Sequence, residues 1–420
     1  MNLGNNFKNK ISFRMVSILS LSILGSLFLS FLYRISGSRI LILKESDFLS
    51  AFPSFSISKL FGRENILFEG SLAQKWMGQK DWNYGPFHQM LTIPLYFYTS
   101  IYAITTFLFF FLLLIYLGTV LSIYQAATQY KMNRKLLVLL IGILVINYPF
   151  LSALQQRNLE ILELFLVMAA MISYQRKNYT LAGIFVGLAT GIKFLPAIIV
   201  MQFLVSRNWK AISGFLYVIV PQLILAQLFL GWQHSFTIRL LIHGESGTIP
   251  LRQGLNDVIL RLSNGSNNVL YELIYLAIVI IAFLFGIASL RKCLQQTLEE
   301  SDHWRVWSIL LASICLLAPH ANNYYFVLLS PLIIQLYLLL IRERIGGYHI
   351  LFGLGLFLIS LPLPFAVLWR IVPSNMSGAW KSTLLNFQSF SPIFFGSLIL
   401  VCIGLKRYKS LLLLNVIAKA

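Results

Sequence analysis

Acidic side chains are scarce in this sequence: Asp and Glu together number 14 among 420 residues, against 33 Lys and Arg. All charged residues make up 11% of the chain, whereas a soluble domain carries about 25%. Cysteine is scarce as well, and Cys293, Cys315 and Cys402 lie too far apart for a disulfide framework or a cysteine metal site. His234 and His243 lack the spacing of metal ligands, so no metal is assigned to them. We predict no cofactor, and a divalent metal is the alternative.

Hydrophobic residues dominate instead, at 58% of the chain. Apolar runs long enough to cross a bilayer recur, and they are too long and too uniform for the strands of a membrane barrel. Because backbone groups in lipid must pair internally, these runs predict helices. We expect an all-α polytopic membrane protein with about ten transmembrane helices plus re-entrant and interfacial helices. Residues 1–420 are expected to form a single integral membrane domain.

The formal net charge of +19 does not indicate nucleic-acid binding, because the basic residues are spread over short loops between apolar runs. Such loops are typical of the cytoplasmic side of a membrane protein. Basic residues precede the first run, Met15 to Tyr33, and also follow the last one, so we expect both termini in the cytoplasm. The first run is too long for a cleavable signal. These patterns favour a multi-pass protein, most simply of a bacterial plasma membrane, in contact with membrane lipids.

A polar loop, residues 36–86, follows the first run and is expected to face outward with interfacial helices. It holds five of the 14 acidic residues: Glu45, Asp47, Glu64, Glu69 and Asp81. We interpret Asp47 as the catalytic carboxylate and Glu45 as its substrate-binding neighbour, and Tyr84 lies where the loop closes. The alternative is that both acids are ordinary solvated loop residues. A second outward loop, residues 231–268, carries Arg252.

The apolar run from Tyr179 to Val205 has basic residues at both ends, which places both ends in the cytoplasm. As one helix it would span about 40 Å, enough for one crossing but not two. We therefore predict a pair of short re-entrant helices that break near Gly191 to Pro196, with Lys193 at the tip. The alternative is one long tilted helix, with Lys193 extending to the inner surface.

Further polar residues are expected at the outer face. Arg157 and Asn158 form a tight turn, and His320 and Asn322 follow a short span. One carboxylate opposite several cations suits a phosphate that carries a lipid tail, because Arg and Lys bind phosphate oxygens while a carboxylate activates a hydroxyl. The alternatives are purely structural roles. In these, Arg157 forms an ion pair with Glu160 one helical turn later, and His320 caps the end of a helix.

Several short motifs follow one another between about residues 44 and 340. They are Asp47-Phe48, Tyr84-Gly85-Pro86 with Pro94, Gln156-Arg157-Asn158, Gly183 and Gly187 leading to Lys193 and Pro196, Gln253-Gly254-Leu255 with Arg261, and Pro319 before Tyr324. In order and expected side of the membrane they resemble the C-type glycosyltransferase superfamily, and within it glycosyltransferase family 87. Gly85 stands where that family has Pro, and Gly254 where it has Ser.

The resemblance implies an inverting glycosyltransferase with a polyprenyl-phosphate sugar donor, such as a mannosyl donor, and a lipid or glycan acceptor. It implies that the acid of the first loop is the base and that basic residues bind the phosphate. The expected substrate-binding residues are Glu45, Tyr84, Arg157, Asn158, Lys193, Arg252, His320 and Asn322. The alternative functions are a flippase or transporter of lipid-linked saccharides, a polymerase or ligase of them, or a purely structural membrane protein.

Overall fold

Helices make up the part of the chain that the computed structural model describes. The described residues are 18–26, 28–29, 87, 91, 101–127, 134–145, 147–230, 253–262, 273–284, 286, 300–318, 321–343, 346–362, 382 and 390–419. Within these ranges the chain forms α-helices and short 3-10 helices and no β-strand. The prediction of an all-α protein is therefore confirmed for this part of the chain.

The helices have the following bounds. They are α1 (Ile101–Ala127), α2 (Arg134–Val145), α3 (Tyr148–Gln156), α4 (Glu160–Gln175), α5 (Tyr179–Ile192), α6 (Val200–Val205), α7 (Trp209–Leu230), α8 (Leu255–Leu262), α9 (Glu300–Leu317), α10 (Ser330–Glu343), α11 (Gly346–Ser360) and α12 (Pro392–Lys419). Two 3-10 helices, Leu195–Ile199 and Asn323–Leu329, precede α6 and α10.

One described segment, Asn323–Leu340, is both long and apolar enough to cross a membrane by itself. Several other apolar helices are shorter than this criterion requires, among them Thr106–Ser122, Trp209–Leu225 and Pro392–Lys406. The prediction of about ten crossings stays a prediction.

The chain packs as two compact units. The first comprises Met1–Ser122, Ala153–Ala197 and Trp209–Gly244, and the second comprises Ile123–Ser152, Ile198–Asn208 and Glu245–Ala420. The single domain expected from the sequence stays a prediction.

In the first unit, α5 packs closely against α7 through glycines. A Cβ atom on Gly183 would overlap the carbonyl oxygen of Ala211, and one on Gly214 would overlap the carbonyl oxygen of Thr180. At Gly187 an added Cβ would lie 3.0 Å from the Cβ of Val218. Small residues that let two helix backbones approach in this way are typical of membrane helix pairs. The close approach fixes α5, and with it the residues that follow its end.

The break expected near residues 191–196 is confirmed. Helix α5 ends at Ile192, Lys193 adopts an extended conformation with φ −144° and ψ 152°, and a 3-10 helix begins at Leu195. Pro196 has no N–H to donate to the carbonyl of Ile192, so the α-helix cannot continue through it. The alternative of one uninterrupted helix from Tyr179 to Val205 is therefore wrong.

The apolar run from Leu136 to Leu154 could form one span by its length. It is divided into α2 and α3, because Pro149 cannot donate to the carbonyl of Val145 and the chain restarts its helix at Tyr148. The apolar part of the last helix is Pro392–Lys406. Helix α12 continues through the basic cluster that follows and ends at Lys419, since Lys and Arg are good helix formers and do not stop a helix.

The core of the second unit is aromatic where α6 meets α9. The rings of Phe203 and Trp307 are both buried, with centroids 5.8 Å apart in an edge-to-face arrangement. The side-chain amide of Gln202 lies 2.7 Å from Nδ1 of His303. Helix α11 lies against α12 at another glycine pair, Gly355 and Gly396.

The glycine contact between α5 and α7 can be tested with Gly183→Ala. The added methyl group has no space, so we expect a loss of about 1–3 kcal/mol in stability and a lower thermal midpoint of the purified protein. Gly353→Ala on α11 is the matched control, because nothing lies within 4 Å of its added Cβ. In the control, the better helix propensity of Ala should hold or raise the midpoint. Equal midpoints for the two variants would contradict the proposed contact.

Candidate functional site

Four of the predicted site residues lie within the described ranges: Arg157, Asn158, Lys193 and Asn322. The first three belong to the first unit and Asn322 belongs to the second. The other predicted site residues, Asp47, Glu45, Tyr84, Arg252 and His320, lie outside the described residues. Their roles stay predictions.

Arg157 lies in the turn that joins α3 to α4. The N–H of Asn158 donates to the carbonyl of Ala153 at 2.8 Å, and the N–H of Arg157 donates to that of Leu154 at 3.3 Å. This pair of bonds is the Schellman pattern that ends many helices. It requires a left-handed residue, and Arg157 has a φ of 51°.

The same turn occurs twice more with a basic residue followed by Asn. At Lys177-Asn178 the N–H of Asn178 donates to Ser173 at 3.0 Å, and at Arg207-Asn208 the N–H of Asn208 donates to Phe203 at 2.8 Å. Lys177 and Arg207 also have positive φ angles, of 62° and 53°.

Burial separates these three turns. Lys177 and Arg207 are exposed, as surface Schellman residues commonly are, whereas Arg157 is only 3% exposed and Asn158 is fully buried. The backbone motif alone therefore does not account for the burial of Arg157. A guanidinium held inside the protein is a candidate for binding an anion.

Lys193 lies at the same end of the first unit. Its ammonium group donates to Oε1 of Glu160, in the first turn of α4, and forms an ion pair with it. The two residues are 33 positions apart, and they meet because the C-terminal end of α5 lies beside the start of α4. Lys193 is 3% exposed, so the alternative in which it extends to the surface is wrong. Glu160 has Lys193 as an ion-pair partner, a pairing that sequence reasoning missed.

Glu163 adds a second carboxyl group to this pair. It follows Glu160 by one helical turn, is fully buried, and neither of its carboxyl oxygens has a hydrogen-bond partner among the described residues. The charges of Glu160 and Lys193 both act on it. The carboxyl groups of Glu160 and Glu163 and the ammonium group of Lys193 thus share a buried region of the first unit. We call Glu160 and Glu163 the acid pair.

Two further side chains lie against Gly191, two residues before Lys193. Gln222 of α7 lies against Gly191, so that a Cβ atom on Gly191 would overlap its amide oxygen. The Cβ of Phe87 lies 2.8 Å from the same added atom. Phe87 comes directly after the expected end of the first outward loop at Pro86. The residue that follows this loop, Phe87, therefore lies against Gly191, which precedes Lys193 by two positions in the sequence.

The second unit contains a separate polar cluster. The N–H of Gln253 donates to the carbonyl of Ala321 at 2.7 Å, which joins a residue of the second loop to the residue before Asn322. Asp257 accepts from the N–H of Gly254 at 3.2 Å and so caps α8. Packing leaves no room for a side chain at position 254, because a Cβ atom added to Gly254 would lie 2.6 Å from the carbonyl oxygen of Ala318.

Arg261 completes this second cluster. Its guanidinium donates to the hydroxyl of Ser391 at 2.7 Å. Burial lowers the pKa of Arg261, and the carboxylate of Asp257 one helical turn earlier opposes that shift. Asn322 starts the 3-10 helix before α10 and donates from its amide to the hydroxyl of Tyr324 at 2.8 Å. The resemblance to Gln-x-Leu with a following Arg thus corresponds to one connected cluster.

Within the described ranges, His, Cys, Asp and Glu side chains do not gather in groups of three or more that could hold a metal ion. In the first unit the described site residues present two buried cations, Arg157 and Lys193, beside two buried carboxyl groups.

The comparison with known proteins supports the interpretation of these motifs. No curated protein matches the chain. The family model described as glycosyltransferase family 87 matches residues 82–319, more than half of the chain. The matched region includes Arg157, Asn158 and Lys193 and begins after Asp47. The chain therefore belongs to glycosyltransferase family 87, a family of membrane proteins, and is a glycosyltransferase.

Proposed function

We propose that the protein transfers a sugar from a polyprenyl-phosphate donor to a lipid or glycan acceptor at the outer face of a bacterial plasma membrane. Mannose is our first choice of sugar. The enzyme would be multi-pass, with both termini cytoplasmic, and would need no metal. Family membership favours transfer over the alternative of a lipid-linked saccharide transporter.

The observation that carries this proposal is the ion pair between Lys193 and Glu160, which lies in the first turn of α4. Lys193 follows α5, and Arg157 and Asn158 immediately precede α4, yet all three lie at one end of the first unit. Two buried cations at this position suit a phosphate, which Arg binds with two parallel hydrogen bonds and Lys binds as a point charge. Arg252 of the second loop lies outside the described residues, and its expected role in substrate binding stays a prediction.

In the proposed reaction, the carboxylate of Asp47 takes the proton of an acceptor hydroxyl. The oxygen then attacks the anomeric carbon from the face opposite the phosphate, and the bond between that carbon and the phosphate oxygen breaks. Polyprenyl phosphate leaves with the bonding electrons, and the anomeric configuration is inverted. Cations near the phosphate stabilise the charge that develops on it. Glu45, Tyr84, His320 and Asn322 would contact the sugar or the acceptor.

The donor class can be tested directly. Purified protein is incubated with an acceptor extract and either a panel of polyprenyl-phosphate sugars or the same sugars linked to a nucleotide, and the sugar transferred to the acceptor is measured. We expect transfer, with matching release of polyprenyl phosphate, from at least one member of the panel and no transfer from the nucleotide-linked sugars. Transfer from the nucleotide-linked sugars alone would contradict the proposed donor.

The role of Asp47 can be tested with Asp47→Asn. A positioned general base contributes about 10²- to 10⁴-fold to a rate, so kcat should fall by that factor while the thermal midpoint stays unchanged. Asp81→Asn is the control, because it makes the same substitution in the same loop. A near wild-type kcat for Asp47→Asn would remove this residue from the mechanism.

The repeated turn provides a test of Arg157. Arg157→Gly keeps the left-handed backbone without strain but removes the guanidinium, and a hydrogen bond to a charged group contributes about 1.5–3 kcal/mol. We expect kcat/KM for the donor to fall by about 10- to 150-fold. Lys177→Gly makes the corresponding change in a turn whose basic residue is exposed, and it should leave kcat/KM unchanged. Equal effects of the two substitutions would show that Arg157 serves only the turn.

A further inference from the structure

Gln222 is a polar residue in an apolar part of α7. It lies within the apolar segment Trp209–Leu225 and is only 6% exposed. Its amide oxygen is fully buried and has no hydrogen-bond partner in the described part of the chain. Glutamine side chains in membrane helices commonly bond to a neighbouring helix and hold the two together. The amide oxygen of Gln222 makes no such bond to a described residue, so helix association does not account for it.

The last turn of α5 leaves space for this amide. A Cβ atom on Gly191 would overlap the amide oxygen of Gln222, so a side chain at position 191 would displace the amide. The preceding residue, Thr190, is 1% exposed, and its hydroxyl group also lacks a hydrogen-bond partner among the described residues. Buried polar groups in native proteins are nearly always hydrogen-bonded, because an unpaired one is unfavourable. Two unpaired groups at one helix end therefore indicate a polar ligand that supplies the missing bonds.

The same end of α5 carries Lys193. Helix α5 packs between α4 and α7. On the side of α4, Lys193 pairs with Glu160 of the acid pair. On the side of α7, Gln222 lies against Gly191, two positions before Lys193, and Phe87 lies against Gly191 as well. A ligand that contacts both Lys193 and Gln222 therefore has an anionic group and, close to it, an uncharged polar group. A sugar joined to a phosphate has both.

We propose that Gln222 binds a hydroxyl group of the sugar in the polyprenyl-phosphate donor and thereby selects among sugars. This inference rests on the proposed function, since it takes Lys193 as a ligand of the donor phosphate. The sugar hydroxyl donates to the amide oxygen of Gln222, while the phosphate on the same sugar contacts Lys193. The ion pair of Lys193 with Glu160 stays in place, because an ammonium group has three N–H donors and can serve two anions.

This bond gives selectivity because a sugar without that hydroxyl group leaves the buried amide unpaired. A site built to hydrogen-bond a substrate hydroxyl rejects the analogue that lacks it more strongly than an apolar pocket rejects a missing methylene group. A sugar with the opposite configuration at the same carbon directs its hydroxyl away from Gln222 and loses the same bond.

The test compares donors that differ by one hydroxyl group. The probes are polyprenyl-phosphate mannose and its four analogues deoxygenated at carbon 2, 3, 4 or 6, and kcat/KM is measured with each. If another hexose is the best donor of the panel described above, that hexose and its deoxy analogues take the place of mannose. Gln222→Met keeps the length of the side chain and removes the amide. We expect deoxygenation at one carbon to lower kcat/KM about 10- to 100-fold more in the wild type than in Gln222→Met. Deoxygenation at the other carbons should affect both proteins equally, since intrinsic effects on the sugar cancel in this comparison.

Two further variants complete the set. Gly191→Ala displaces the amide without removing it, so it should reduce the selectivity at the same carbon, and it serves as the test if Gln222→Met does not fold. Gln175→Met is the matched control, because it makes the same change at the last residue of α4, about 22 Å along that helix from Glu160. It should keep the selectivity of the wild type. The thermal midpoint of Gln222→Met should not fall, because the amide oxygen that it removes has no partner within the described ranges.

The outcomes separate this inference from the proposed function. If the wild type uses no polyprenyl-phosphate sugar, the proposed function fails and the role of Gln222 fails with it. If the wild type uses these donors but folded Gln222→Met and Gly191→Ala treat all five in the same proportions as the wild type, Gln222 does not bind the sugar. The proposed function then stands without it.

Discussion

A buried charge needs a partner, and in the first unit that requirement joins Lys193 to Glu160. Removing either partner would leave an ionised group in a region from which water is excluded, which is strongly unfavourable. The pair also has a geometric role, because it links the end of α5 to the start of α4. The turn that carries Arg157 and Asn158 immediately precedes this point. The ion pair thus holds one candidate phosphate ligand, Lys193, at the start of α4, the helix that follows the other candidate, Arg157.

The ion pair in turn depends on how closely the helices approach. Gly183, Gly187 and Gly214 remove the side chains that would otherwise separate α5 from α7. Helix α5 then packs between α4 and α7, and its end meets the start of α4. Small residues in the middle of the helices and charged residues at their ends therefore contribute to one arrangement. The glycines set the distance between α5 and α7, and the charged residues join the end of α5 to the start of α4.

The helical class, the break before Pro196 and the turn at Arg157 could be predicted from the sequence, because each follows from local rules on apolar runs, proline and helix ends. The pairing of Lys193 with Glu160 could not, since it joins residues 33 positions apart and depends on helix packing. The division of the run from Leu136 to Leu154 could have been found, because Pro149 is visible in the sequence. Burial is also not readable from a turn motif: Arg157, Lys177 and Arg207 share one backbone pattern, and only the structure shows that Arg157 is enclosed.

Gly254 marks a position at which this chain differs from the family pattern that it resembles. The backbone of Gly254 lies so close to the carbonyl of Ala318 that even a methyl-sized group would meet it at 2.6 Å. The family pattern has Ser at this position. A chain with that hydroxymethyl group must hold the segment around Gln253 further from the one around Ala321, lengthening the bond that now joins them at 2.7 Å. A difference of one hydroxymethyl group at this position can therefore change the spacing of two backbone segments while every charged group stays the same.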